Sequence, residues 1–235
     1  MEINPATLKK NLIIAPAGDK SLHKHWISDH QEFDLVLLYY GNSDEKLEEY
    51  KKDCLIIEKR KLEKWHLMSY FVKNNLDFVR NYETIWFPDD DMMSNCEDIN
   101  KLFLLHKKHN LLLSQPSVKG YVSYDIEKKI EGSVLRFTNF VEIFCPMMSL
   151  DCLMWLLESF GINESGWGMD YLWPKLLGYP KNKIAIIDMI TVEHTNPIGE
   201  TYKGRFKKEP MKELTELFAK HKLTFNQQTY SQINL

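Results

Sequence analysis

Cysteine is scarce and scattered in this chain. The four thiols, Cys54, Cys96, Cys145 and Cys152, include no Cys-x-x-Cys pair, which argues against a disulfide scaffold or a thiolate zinc site and fits a reducing compartment. Neither sign of charge dominates: 30 basic residues face 33 acidic ones, a net charge of −3. That argues against a protein held to nucleic acid by bulk charge. Long hydrophobic runs are missing too. The most apolar stretch, residues 144–157, is interrupted by Ser149 and Asp151 and is shorter than the roughly 20 residues that span a bilayer. The opening Met1-Glu2-Ile3-Asn4-Pro5 lacks the pattern of a signal peptide. Repeats, low-complexity tracts, a P-loop, a Gly-x-Ser-x-Gly elbow and a His-Glu-x-x-His pair are absent. Solenoid, acyl-transfer and zinc-protease readings therefore have no support. The expectation is a soluble, cytoplasmic globular protein whose 235 residues form one domain with a core large enough to surround a cleft.

Short apolar runs alternate with helical ones. Residues 12–16, 34–40, 54–57, 83–88 and 111–114 read as strands. Ser43 before Asp44 and Glu45 opens a helix to about Lys52, and Asn95 opens another to about His109; acidic residues suit the positive end of a helix dipole. Trp65, Met68, Val72, Leu76 and Val79 recur at helical spacing and predict an amphipathic helix. Such alternation predicts an α/β fold with a mostly parallel central sheet flanked by helices. Ligands of these sheets lie beyond the carboxyl ends of strands, which selects residues 17–20, Gly41-Asn42 and a triple aspartate. Further on, residues 134–143, 184–187 and 191–194 read as strands, 149–160 as a helix and 161–168 as a glycine-rich loop. Residues 210–223 make a last helix with Leu214, Leu217 and Phe218 on one face. Within a single domain, 1–115 is expected to bind a nucleotide, 116–200 to form the opposite wall of the cleft, and 201–235 to be a helical tail.

Asp89-Asp90-Asp91 directly follows Ile85-Trp86-Phe87-Pro88. Three adjacent carboxylates beside a core repel one another, and a divalent cation relieves that cost. Alternate side chains of extended backbone share a side, so Asp89 and Asp91 are expected to face one cation while Asp90 turns to a hydroxyl or a backbone group. Hard oxygen ligands suit Mg2+ or Mn2+; the plainer alternative is a solvated acidic turn. In Gly166-Trp167-Gly168-Met169-Asp170, either the indole meets a sugar or base and Asp170 is a general base, or Trp167 is core and Asp170 a helix cap. His194 ends a β-branched run and either completes the metal shell with Asp91 or is only hydrogen-bonded. Lys59-Arg60-Lys61 and Lys64-Trp65 meet a diphosphate or form a solvated cluster. The basic segment Lys203-Gly204-Arg205-Phe206-Lys207-Lys208 touches phosphate or the anionic inner face of a membrane, or merely precedes a docked helix.

A strand ending in an Asp-x-Asp signature resembles the metal and nucleotide-sugar site of GT-A glycosyltransferases. More narrowly, the chain resembles a plant and bacterial glycosyltransferase-like family, domain of unknown function 707. The pieces that carry the likeness run in order over roughly residues 10–200. They are Phe33-Asp34-Leu35-Val36-Leu37-Leu38-Tyr39-Tyr40, Lys64-Trp65, Ile85 to Asp91, Ser114-Gln115-Pro116, Phe140-Val141-Glu142, Cys145-Pro146-Met147-Met148-Ser149, Gly166 to Asp170, and Ile187-Asp188 with His194.

The resemblance implies a GT-A (Rossmann-like) nucleotide-diphospho-sugar transferase fold. It implies Asp89 and Asp91 on the metal and diphosphate, with Asp90 beside them, His194 as third metal ligand and Asp170 as acceptor-side base. The donor is then a nucleotide-diphosphate sugar, a UDP-sugar favoured, with its base and ribose near Ala15, Pro16, Gly18, Asp19, Lys20 and Gly41, and its diphosphate near Lys64 and Trp65. Gln115, Glu142 and Trp167 would place a glycan or glycolipid hydroxyl for an inverting attack, with Gly168 counted among the residues that bind the donor. The family often carries Asp-Glu-Asp where this chain has Asp90, a change that keeps the charge. Two rivals use similar residues: a metal-dependent phosphatase or phosphotransferase, and a catalytically inactive carbohydrate-binding protein.

Overall fold

β1 (Asn11–Ala17) is buried along its whole length, and its side chains alternate between two cores. Ile13, Ala15 and Ala17 share one side with Leu35, Leu37 and Tyr39 of β2 (Phe33–Tyr39), while Leu12 and Ile14 share the other with Val36 and Leu38. A period of two with both faces buried marks a strand covered by helices on each side. In the computed structural model, which describes residues 5–199 and 206–235, α1 (Asp44–Tyr50) and α4 (Cys96–Lys108) cover the first side. α2 (Lys64–Asn74), α3 (Leu76–Val79), α5 (Leu150–Leu156) and α6 (Met169–Leu176) cover the second.

β1 pairs in parallel with β2 and with β4 (Thr84–Trp86), and β2 with β3 (Ile56–Lys59). β6 (Leu113–Gly120) and β9 (Ile184–His194) also pair in parallel. The expected parallel sheet is correct for this set, but the whole sheet is mixed. β8 (Met147–Ser149) lies antiparallel between β4 and β6, and β7 (Ser133–Thr138) lies antiparallel between β9 and β10 (Thr229–Asn234). The order is β10-β7-β9-β6-β8-β4-β1-β2-β3. β8 is reversed because the chain enters it from the carboxyl end of β4, with Met147 opposite Trp86.

Local chemistry sets the boundaries. Ser43, Asn95 and Ser149 each accept the backbone N–H three residues on, satisfying a donor that a helix start leaves open. The expected single helix through Val79 breaks at Asn75, whose backbone is non-helical. The two expected strands at 184–187 and 191–194 are one strand, bulged at 188–190 where the register with β6 shifts. The bulge seats Asp188 on the buried Arg136 guanidinium through two 2.9 Å bonds. α7 (Pro210–His221) docks Leu214, Leu217 and Phe218 on Phe140, Tyr171 and Leu172. Lys203, Gly204 and Arg205 lie outside the described residues. Among the described residues no helix is long and apolar enough to cross a membrane.

Candidate active site

The carboxyl ends of β1, β2, β4 and β9 meet at one rim, and the triple aspartate stands on it. The Asp89 N–H donates to the Phe144 carbonyl at 2.7 Å, and the Leu22 N–H donates to the Asp90 carbonyl at 2.7 Å. β5 (Met92–Met93) then pairs Met92 with His194 at the end of β9. The Thr195 backbone N–H and hydroxyl both donate to the Asp91 carbonyl. This short ladder brings Asp91 and His194, distant in sequence, side by side.

The three carboxylates diverge as extended backbone requires. Asp90 turns aside, accepting the Gly18 N–H at 2.6 Å and the Tyr40 hydroxyl at 3.0 Å. It ties together the ends of three strands, turned to a hydroxyl and a backbone N–H as expected. Burial lifts its pKa to about 6, with the Gly18 N–H pulling the other way.

Asp91 Oδ2 lies 3.3 Å from His194 Nε2 and accepts from Asn196 at 3.1 Å. Its Oδ1 is buried and accepts nothing among the described residues. His194 Nδ1 donates to the Tyr121 carbonyl at 2.8 Å, and its ring packs on Phe144 with centroids 4.8 Å apart. Burial alone would push Asp91 up and His194 down; their mutual attraction outweighs it, leaving Asp91 below and His194 above the ordinary range.

Asp89 faces a cation of the chain's own. Lys64 Nζ sits 2.6 Å from its Oδ1 and donates to the carbonyls of Ile143 and Phe144 at 2.8 and 3.2 Å. Burial raises the Asp89 pKa, and Lys64 holds it back.

Among the described residues no three acidic, histidine or cysteine side chains converge as a ready metal site. Of the expected set Asp89, Asp91 and His194, only the last two meet. The pair nevertheless fits a divalent cation chemically. A buried carboxylate oxygen lacks a donor, and the imidazole is oriented through Nδ1 by a backbone carbonyl, the arrangement that turns Nε2 toward a metal. Asp89 is engaged instead by Lys64, through Oδ1.

A second acidic group adjoins the first. Gln115 is fully buried, and its Oε1 accepts the Glu142 N–H at 2.5 Å, which fixes the backbone of Glu142. Asp170 lies in the first turn of α6, 5% exposed. Glu127, which sequence reasoning missed, is fully buried beside them; one of its oxygens accepts the Tyr124 N–H at 2.7 Å. Glu127 Oε2, Glu142 Oε2 and Asp170 Oδ1 each accept nothing among the described residues. Burial raises all three carboxyls above their ordinary range, and the Glu142 charge raises Glu127 and Asp170 further. The Asp89 charge pushes Glu142 up further and His194 pulls it back, so the two acidic groups share one electrostatic field.

Other expected ligands serve the fold. Ala15 and Pro16 are buried in β1, which is covered on both faces. Trp65 is core as well, packed edge-on against Phe160 and Trp173, because the helical stripe it belongs to is the face that α2 buries. Asp19 accepts the Tyr39 hydroxyl and, at 3.2 Å, the N–H groups of Asn42 and Ser43; these bonds hold its carboxyl below the usual range. It thereby ties the β1 loop to the Gly41 turn. A Cβ on Gly18 would approach the Tyr40 hydroxyl to 2.8 Å. Lys20 is exposed and Trp167 half-buried. Gly168 has φ +92° at the start of α6, where a Cβ would lie 2.9 Å from Leu217 Cδ2, so its need for glycine comes from α7. A cavity of about 270 Å³ lined by Tyr40, Lys61, Leu62 and Glu63 flanks the rim.

This arrangement of strands and rim has counterparts among solved structures. The chain superposes on TarS 1-349 of S. aureus in complex with UDP-GlcNAc with a TM-score of 0.58 and 16% identity, over 90% of this chain and 66% of that one. On GalNAc-T7 with UDP, GalNAc and Mn2+ the TM-score is 0.61 at 11% identity, over 91% and 48% of the two chains.

The fold is GT-A. This GT-A chain spans less than two thirds of the length of either structure. No protein-family model matches it and no curated protein matches it in sequence, so the narrower likeness to domain of unknown function 707 rests on the motifs alone.

Proposed function

We propose that this GT-A chain is a metal-dependent glycosyltransferase. It moves a sugar from a nucleotide-diphosphate sugar, a UDP-sugar by preference, to a hydroxyl of a glycan or glycolipid. The observation that carries the reading is the Asp91–His194 pair at the carboxyl edge of the sheet, with a buried Asp91 oxygen left without a donor. The UDP-GlcNAc of the TarS complex and the UDP and Mn2+ of the GalNAc-T7 complex support the choice of nucleotide and cation; Mg2+ meets the same ligand chemistry.

Asp91 and His194 hold the cation, which when bound supplies neutralising charge for the departing diphosphate. Lys64, released from Asp89, turns its ammonium toward the phosphates, held meanwhile by the carbonyls of Ile143 and Phe144. The base of the donor takes the cavity beside Tyr40. On the acceptor side Asp170 removes the proton of the incoming hydroxyl, and inversion follows from a base on that face. Its raised pKa makes it a stronger base and keeps it protonated until the cluster ionises. Glu142, fixed by Gln115, shares that proton.

The reading predicts that UDP is released from a UDP-sugar in the presence of Mn2+, while p-nitrophenyl phosphate yields no inorganic phosphate. Asp170→Asn should lower kcat by about 100-fold or more, the usual reach of a general base, with nucleotide binding retained. Phosphomonoester turnover would instead favour the phosphatase reading. Nucleotide binding without turnover of any sugar nucleotide would favour the inactive binding protein.

A further inference from the structure

Away from the aspartate rim, where β7 ends and β10 begins, lies a second cavity of about 270 Å³. We propose that it is a saccharide-binding subsite, separate from the donor site, that holds one residue of a neutral glycan. Its use as an acceptor subsite rests on the glycosyltransferase reading; the binding of sugar does not.

The lining decides the chemistry. The space is lined by Tyr171, Tyr179 and Tyr230 and by Asn139, Thr224, Asn226 and Gln228, with no acid, lysine or arginine among the lining residues. A phosphate or carboxylate would find no charged side chain among the lining residues, the Lys181 ammonium lying over the Tyr230 ring at 5.9 Å. A wholly apolar ligand would leave the amides and phenols without partners. A pyranose satisfies both surfaces: its hydroxyls meet the amides and its C–H face meets the rings. The volume lies just under the roughly 300 Å³ at which drug-sized pockets begin, a fit for a single sugar ring rather than a nucleotide.

The walls are set in advance. The Asn139 side chain donates to the Asn226 carbonyl at 2.8 Å and accepts the Gln228 N–H at 2.7 Å, which clamps the segment that supplies the amides. Gln227 donates to the Tyr171 hydroxyl at 2.8 Å, and Lys181 Nζ stands over the Tyr230 ring at 5.9 Å. A site built beforehand loses less entropy when it binds.

Tyr179 supplies an independent indication. It follows Gly178, and both hold left-handed backbone, φ +52° and +77°. Glycine or asparagine is the usual occupant after a helix end, and a bulky aromatic there is strained. At 41% exposure the residue is only partly covered, so packing offsets that strain incompletely. Strain of this kind gathers where a residue is held for a ligand.

Saturation-transfer NMR with cellotriose, chitotriose and maltotriose tests this on the wild type and on Tyr179→Asn, Tyr230→Ala and Asp91→Asn. At least one trisaccharide should bind the wild type and Asp91→Asn alike and should not be displaced by UDP with Mn2+. Each tyrosine substitution should raise its Kd by about tenfold, the equivalent of about 1.4 kcal/mol. Tyr179→Asn should also raise the Tm, since asparagine tolerates that backbone. If Tyr230→Ala does not fold, Tyr179→Asn decides alone. Absence of binding by all three sugars, displacement by UDP, or an unchanged Kd in Tyr179→Asn would overturn the proposal. Failure of the donor site is read separately, by Asp91→Asn and nucleotide.

Discussion

Among the described residues Glu127 is paired with no cationic side chain. Buried with Glu142 and Asp170, it belongs to a group of carboxyls that cannot all ionise in a dry site. Burial raises Glu142 to about 7, and Asp89 adds to it. A carboxyl whose folded pKa is raised contributes stability that is complete below its unfolded pKa and is lost as pH rises through the folded value. The Tm should therefore fall as pH rises through about 7, and Glu142→Gln should flatten that fall, as differential scanning fluorimetry across pH would record. Catalysis should move oppositely, kcat/KM rising as the cluster releases a proton and frees Asp170 to act as base. A flat Tm profile in the wild type would contradict this account.

The same three residues show what sequence reveals at this scale. Asp170 and Glu142 stand in motifs next to glycine, tryptophan and an apolar run. Glu127 stands in Asp125-Ile126-Glu127-Lys128-Lys129, which reads as a solvated charged turn. Its burial comes from residues around 140 and 170, remote in sequence, and no local pattern announces it. The reverse error befell Trp65, whose position beside Lys64 suggested a diphosphate when its helical stripe already explained it as core.

At the scale of elements, the seam between α6 and α7 governs how Asp170 is presented. Gly168 at φ +92° starts α6 against Leu217. Gly168→Ala should strain the backbone and crowd Leu217, at a cost of about 1–3 kcal/mol. Urea denaturation should show a lower midpoint, and an unchanged midpoint would mean that the seam is looser than described.

Capped helices and buried strands were legible because their signals are local: Ser43 and Asn95 mark starts, and alternating apolar residues mark β1 and β2. β8 was hidden inside an apolar run, since its three residues are too few to show a period. β10, Thr-Tyr-Ser-Gln-Ile-Asn, is mostly polar because it lies at the sheet edge, where exposed side chains are tolerated.

For the molecule as a whole, loops distant in sequence converge because parallel strands place their carboxyl ends on one rim. That rule located the aspartates, the Gly18 loop and the Gly41 turn. It did not say which side chains would turn inward, so Asp90 and Asp19 prove to be braces and Lys64 the partner of Asp89. The short pairing of β5 with β9 joins Asp91 to His194, and residues 92–93 alone gave no sign of it.

In the proposed reading Asp91 and His194 bind a divalent cation that carries a nucleoside diphosphate. Thermal unfolding with UDP and Mn2+ together, compared with each alone, tests it most directly. At about a hundredfold excess over Kd the wild type should gain about 5–10 °C in Tm, with the gain dependent on Mn2+ and absent in Asp91→Asn. No gain in the wild type, or an equal gain in Asp91→Asn, would contradict the account.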